Sequence, residues 1–227
     1  MTPAHARAAE IDVGLRQYML RVYNYMASGL ALTGVVAYAL STTPQIIVSL
    51  HTSGLIWVFF IATIGVVWYF AARIATMQPS TAQGLFWTIS VLYGVVFSSI
   101  FLVYTGASIA QTFFIAASMF LAMSLFGYST RRDLTGWGSF LFMGLIGMII
   151  AFVVNIFFQN PMLYFLISGV GVIVFTGLTA YDTQRIKEVY YVGDGGDVAT
   201  KKAISGALKL YIDFVGIFIY LLHFLGV

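Results

Sequence analysis

The sequence lacks cysteine altogether and is poor in charged residues. Without cysteine, the chain cannot form disulfides, thiolate metal sites or a cysteine nucleophile. Charged residues make up 8% of its 227 residues, whereas a soluble domain carries about 25%. So few charges cannot cover a surface that faces water, and 60% of the residues are hydrophobic. The composition therefore predicts an integral membrane protein.

Histidine is also scarce and gives no metal-binding pattern. His5, His51 and His223 lie far apart in the chain, without the short spacing that metal ligands show. The net charge of +3 comes from short clusters of basic residues, which are typical of membrane topology signals rather than of nucleic-acid binding. We therefore expect the lipid bilayer as the main partner, with no nucleic acid and no bound cofactor.

Long apolar runs recur along the chain, and each has the roughly 20 residues that a helix needs to cross about 30 Å of hydrocarbon. Pro44, Pro79 and Pro161 fall between runs, where proline begins or ends a helix at little cost. The pattern predicts an all-α membrane protein with one transmembrane domain over residues 1–227, of which 1–21 form a cytoplasmic segment. The seven helices are predicted at about 22–42, 54–73, 84–104, 107–127, 137–158, 162–182 and 206–226.

Basic residues mark alternate ends of these runs. They precede run one and follow runs two, four and six, whereas the turns after runs one, three and five carry no Lys or Arg. Because cytoplasmic loops are enriched in Lys and Arg, we predict that the amino terminus lies inside and the carboxyl terminus outside. The residues that carry this signal are Arg7, Arg16, Arg21, Arg73, Arg131, Arg132, Arg185, Lys187, Lys201 and Lys202.

Only a few ionisable residues lie within the runs, where charge is costly, and three of them stand out. Asp182 closes run six, Asp213 lies about 10 Å along run seven, and Arg73 closes run two. The predicted topology brings the inner ends of these three runs to the same side of the membrane. A charge at the centre of a membrane helix costs about 2.5–3.5 kcal/mol, so such groups normally face the bundle interior and pair. We therefore expect the three to meet near the cytoplasmic face.

Two facing carboxylates cannot easily both be ionised in a desolvated site, so Asp182 and Asp213 are predicted to share a proton. Arg73 can compete for one of them, which would give a switch that responds to cytoplasmic pH. Simpler roles stay open at this point. Asp182 with Arg185, and Lys209 with Asp213, have the spacing of local helix ion pairs worth a few tenths of a kcal/mol, and Arg73 has the position of an interfacial arginine.

Two segments resemble the Bax inhibitor (transmembrane Bax inhibitor motif) family, in its bacterial branch. They are "GLTAYDTQRIK" at the end of run six and "ALKLYIDFVGIFIYLLHFLG" as run seven. The resemblance implies six helices around a central seventh, and a pH-sensitive calcium leak with an aspartate pair near the cytoplasmic mouth. By motif the pair would be Asp182 and Asp213, and by position the family's arginine latch would be Arg73. It also implies location in the bacterial inner (plasma) membrane.

The leading hypothesis is therefore a pH-sensitive calcium leak channel, with calcium as the transported ion. Asp182 and Asp213 supply the hard oxygen ligands that calcium prefers, and two carboxylates suit a weak transit site. The alternative is a regulatory protein that binds and modulates another membrane protein, such as a membrane protease. An aspartyl protease is disfavoured because Asp213 follows "LYI" instead of Gly-x-Gly, and no Pro-Ala-Leu occurs. We expect no enzymatic activity.

Overall fold

A computed structural model describes the backbone of residues 3–225 and the side chains of residues 13–225. Within this range the chain forms helices and no strands, which confirms the predicted all-α class. The helices are α1 (Pro3–Ser41), α2 (Pro44–Thr52), α3 (Leu55–Arg73), α4 (Pro79–Phe97), α5 (Ile100–Val103), α6 (Gly106–Ser129), α7 (Thr135–Phe158), α8 (Pro161–Glu188) and α9 (Gly196–Leu225).

Three of the helices begin at the prolines that separate the apolar runs. Pro44, Pro79 and Pro161 are the first residues of α2, α4 and α8. Proline suits this position because the first N–H groups of a helix have no partner within the helix, and its fixed φ is already helical. The prolines therefore mark helix starts, as the sequence indicated.

Six helical segments of the described chain are long and apolar enough to cross a membrane. They are α3, the α4–α5 segment Pro79–Val103, α6, α7, α8 and α9. Helices α1 and α2 give a seventh span if they cross the membrane together. Val13–Ser41 and Pro44–Thr52 are long and apolar enough as a pair, and they are bent by 92°. The structure thus supports six or seven of the predicted spans.

Helix α2 is absent from the prediction. It holds nine residues, or about 14 Å of helix, which is too short to span a bilayer and hence invisible to a search for long runs. Helix α1 is longer than the predicted span, because it begins at Pro3 and includes the polar residues before the first apolar run. The predicted span at 84–104 is interrupted at Ser98 and Ser99, between α4 and α5.

The contacts divide the chain into two compact units. Unit 1 comprises residues 1–103 and 189–211, and unit 2 comprises residues 104–188 and 212–227. In unit 1, α4 packs against α1 and α3, and α2 lies beside both α1 and α3. In unit 2, α8 packs between α6 and α7. Helix α9 is continuous and contributes its first half to unit 1 and its second half to unit 2.

Helices α6 and α8 of unit 2 approach each other closely at Gly127 of α6. A Cβ atom at this position would collide with the backbone carbonyl of Ala180 on α8. The Ser124 and Thr183 hydroxyls, which lie one turn away on the same two helices, are 2.9 Å apart and hydrogen-bonded. Small residues at such interfaces let membrane helices approach closely and gain van der Waals contact. Gly127 therefore sets the spacing between α6 and α8.

We predict that Gly127→Ala lowers the stability of the protein. The added methyl group must displace backbone rather than a flexible side chain, and overpacking of this kind costs about 1–3 kcal/mol. Thermal unfolding in detergent measures the effect. Gly147→Ala on α7 is the matched control, because an added Cβ atom there meets nothing within 4 Å. Equal unfolding midpoints for the two variants would show that the α6–α8 contact is not so tight.

Candidate functional site

Asp213 lies on the most buried of the candidate spans. Its own side chain is 3% exposed, and most positions from Leu210 to Phe218 are buried as well. In the apolar stretch of α9, 61% of the residues are buried inside the protein, against 11% to 39% in the corresponding stretches of the other spans. A helix that is buried on all sides belongs to a bundle interior. The sequence placed Asp213 within a span, and the structure adds that it faces protein.

Asp182 is half-buried and lies near the end of α8, in the same unit as Asp213. The next two residues, Thr183 and Gln184, are buried. The aspartate thus lies where the buried part of α8 gives way to the exposed residues Arg185 and Glu188.

Contacts farther along α8 and α9 define how these two helices align. The rings of Phe175 and Tyr220 are stacked with their centroids 5.7 Å apart, and Gly216 faces the Phe175 ring. Asp182 comes seven residues after Phe175, and Asp213 comes seven residues before Tyr220. In antiparallel helices seven residues are close to two turns, or about 10 Å, along each axis. The alignment therefore indicates that both aspartates lie at one level of the α8–α9 contact.

Phe214, the neighbour of Asp213, is held by two aromatic rings of α6. Its ring lies 5.5 Å from that of Phe113 and 5.7 Å from that of Phe120, in edge-to-face geometry. Such pairs add about 0.5–1.5 kcal/mol to the burial of the rings. They fix the rotation of α9 in unit 2 and so determine which way Asp213 points.

Side chains that follow Asp182 fasten the end of α8 to the turn between α6 and α7. The Gln184 amide nitrogen donates to the Arg132 carbonyl at 2.8 Å, and its oxygen accepts from the Leu134 N–H at 2.9 Å. The Lys187 ammonium donates to the Tyr128 carbonyl at 2.8 Å. This carbonyl is at the negative end of the α6 dipole, where a cation is stabilising. These contacts hold Asp182 at a fixed depth.

Arg185 has partners other than those that its spacing to Asp182 suggested. Its guanidinium lies 3.2 Å from the Glu188 carboxylate, and its Nε donates to the Tyr181 hydroxyl at 3.3 Å. Both members of the Arg185–Glu188 pair are nearly half exposed, so the pair contributes little to stability. Arg185 acts as a surface residue at the end of α8.

Arg73 belongs to unit 1 and ends α3 with an exposed side chain. The turn that follows it contacts α9, since the Lys201 ammonium donates to the Ala75 carbonyl at 2.9 Å. Its assignment as a latch stays a prediction.

No group of three His, Asp or Glu side chains in the described part of the chain could hold a metal ion. Asp182 and Asp213 would thus offer calcium two carboxylates at most.

Unit 1 contains a buried hydrogen-bond network that the sequence did not predict. Tyr211, two residues before Asp213, is fully buried, and its hydroxyl lies 2.8 Å from that of Thr33 on α1. The Thr33 hydroxyl in turn donates to the Ser90 carbonyl on α4 at 2.8 Å. Tyr211 therefore ties α9 to α1 and α4 just ahead of the aspartate. The sequence shows only one tyrosine among many, so no local signal identifies it.

Comparison with known proteins gives consistent results over nearly the whole chain. Residues 15–227 match the family model described as Bax1-I, inhibitor of apoptosis-promoting Bax1. A protein of Rickettsia prowazekii is 48% identical over 95% of this chain and 91% of its own. A protein of Caulobacter vibrioides is 43% identical over 99% and 94%. The inner membrane protein YbhL of Escherichia coli is 43% identical over 94% and 92%.

We predict that Gln184→Met destabilises the protein far more than Arg185→Gln, although the residues are adjacent. The first change leaves the buried Leu134 N–H without its acceptor, which costs about 1–3 kcal/mol. The second removes an exposed ion pair worth less than about 1 kcal/mol. Unfolding midpoints in one detergent compare the two variants. Equal midpoints would mean that Gln184 does not hold the end of α8.

Proposed function

Since the chain belongs to the Bax1-I family of membrane proteins, we propose that it is a pH-sensitive calcium leak channel gated by Asp182 and Asp213. The observation that carries the proposal is the burial of Asp213 on α9, at the level of Asp182 on α8. An ionisable residue buried within a span is costly and marks an ion or proton pathway by default.

The chemistry of the pair accounts for both the ion and the pH response. Calcium binds hard oxygen ligands, and a site with two carboxylates holds it weakly enough to let it pass. In a desolvated site the two carboxylates share a proton, which lowers their charge and their attraction for Arg73. Arg73 is proposed as the latch that binds one carboxylate in the closed state and is released when the pair shares a proton.

We further propose that the protein lies in a bacterial inner membrane with its amino terminus in the cytoplasm and its carboxyl terminus outside. The basic residues support this orientation, and the Escherichia coli relative is named as an inner membrane protein. Opposite sides for the two termini require seven spans, so the bent pair α1–α2 must cross as one. The heavy burial of α9 supports its role as the central helix.

Wild-type protein in calcium-loaded liposomes is expected to release calcium at a rate that changes with pH. Asp182→Asn and Asp213→Asn should each abolish the pH step, because an amide cannot titrate. Arg73→Gln should shift the step, because the latch is lost. Release is measured with a calcium dye from pH 5 to pH 8.

Asp133→Asn is the matched control for these variants. Asp133 is exposed, and its Oδ1 accepts from the Thr135 N–H, a bond that asparagine retains. An Asp213→Asn protein with an unchanged pH step would overturn the gating mechanism. Absence of any flux, together with recovery of a stoichiometric membrane-protein partner, would favour the alternative function of a regulatory protein that modulates another membrane protein.

The orientation has a separate test that exploits the absence of cysteine. Val13 and Ser53 are exposed positions on the two sides of the α1–α2 pair. A membrane-impermeant maleimide should label Ser53→Cys in intact spheroplasts, but Val13→Cys only after permeabilisation. Cysteine-free wild type gives the background. Labelling of both positions from the same side would mean that α1 and α2 do not cross together.

A further inference from the structure

A groove with several polar side chains lies on unit 1. It has a volume of about 500 Å³ and runs between α1 and α4. Such a volume is in the range of small-molecule sites. The lining residues are Gln17, Leu20, Arg21, Asn24, Tyr25, Ser28 and Trp87, so the groove holds one cationic side chain and no acidic one. A ligand with a single negative charge and hydrogen-bond acceptors fits this lining.

The polar residues of the groove form a stripe along one face of α1. Gln17, Arg21, Asn24 and Ser28 follow each other at steps of four, three and four residues, which is the spacing of one helix face. All four side chains are exposed. The Ser28 hydroxyl already donates to the Asn24 carbonyl at 2.6 Å. Gln17, Arg21 and the amide of Asn24 can bind a polar group outside the chain.

Aromatic residues form part of the groove wall, Tyr25 on α1 and Trp87 on α4. The rings of Tyr25 and Trp87 lie 6.4 Å apart, and Phe86 packs edge-on against Trp87 at 5.3 Å. Tyrosine and tryptophan are enriched where lipid headgroups meet hydrocarbon, because their rings are apolar and their OH and NH groups are polar. This wall fits the glycerol region of a lipid.

The stripe is also long in relation to a soluble ligand. From Gln17 to Ser28 the axis of α1 advances about 16 Å, from the basic segment into the first apolar run. A soluble phosphate compound has no use for such length or for Leu20 and Trp87 at its side. A phospholipid has a charged headgroup next to apolar chains, which suits a groove that places Arg21 beside Leu20 and Trp87.

We propose that this groove binds an anionic phospholipid. Its phosphate lies at Arg21, where it accepts hydrogen bonds from the guanidinium and from the amides of Gln17 and Asn24. Tyr25 and Trp87 cover the glycerol region. Basic pockets between helices on the cytoplasmic side of membrane proteins favour anionic headgroups for the same electrostatic reason.

Fluorescence of Trp87 provides the test. The other three tryptophans, Trp57, Trp68 and Trp137, are largely exposed, so their replacement by phenylalanine leaves Trp87 as a reporter inside the groove. The protein is placed in vesicles of phosphatidylcholine with a minor share of phosphatidylglycerol, and either lipid is brominated in turn. Brominated phosphatidylglycerol should quench Trp87 as strongly as if its concentration near Trp87 were about fivefold higher than in the bulk membrane. This enrichment corresponds to the attraction of one arginine near the membrane surface.

Arg21→Gln should return the quenching to the bulk share, and Arg21→Lys should retain most of the enrichment. Arg16→Gln is the matched control, because Arg16 is exposed on the same helix but does not line the groove. Equal quenching by both lipids in the Trp87 protein, or equal enrichment in Arg21→Gln, would overturn the proposal. Displacement of the brominated lipid by glycerol 3-phosphate would assign the groove to a soluble phosphate compound instead.

Discussion

The cost of a carboxylate inside hydrocarbon governs the arrangement around α9. At the centre of a membrane helix an aspartate costs about 2.5–3.5 kcal/mol on insertion scales, so a helix that carries one must be surrounded by protein. Helix α9 meets this condition, because it is the most buried of the six spans and Asp213 itself is buried. Other features serve the same end, including the hydroxyl of Tyr211, the rings packed on Phe214 and Gly216 beside Phe175.

The end of α8 meets a different requirement, because Asp182 lies where protein gives way to solvent. The depth of Asp182 is fixed by hydrogen bonds to the backbone as well as by burial. Gln184 donates to the Arg132 carbonyl in the α6–α7 turn, and Lys187 donates to the Tyr128 carbonyl in the last turn of α6. Carbonyl groups in the last turn of a helix have no partner within the helix. Backbone acceptors are less mobile than side chains, so they hold the last two turns of α8 at a defined height.

Apolar run length was enough to predict most helices. The bounds of α3 and α7 agree with the predicted 54–73 and 137–158 to within two residues, since a membrane span is recognised by length and hydropathy alone. Helix α2 was missed because nine residues fall below that length. The alignment of α8 with α9, and the roles of Gln184 and Tyr211, depend on which helix faces which. That information lies in tertiary packing and not in local sequence.

Arg21 of α1 contributes to two separate observations, one in the sequence and one in the structure. In the sequence, Arg21 contributes to the basic bias that predicts orientation. In the structure, the same side chain lines a groove between α1 and α4. Both observations agree with the proposed orientation and lipid site, because a cation that is costly in hydrocarbon stays near the membrane surface and is attracted there by anionic headgroups. Twelve residues farther along, Thr33 of α1 is hydrogen-bonded to Tyr211 of α9. Within unit 1, the helix proposed to bind a lipid headgroup is therefore also hydrogen-bonded to the helix that carries Asp213.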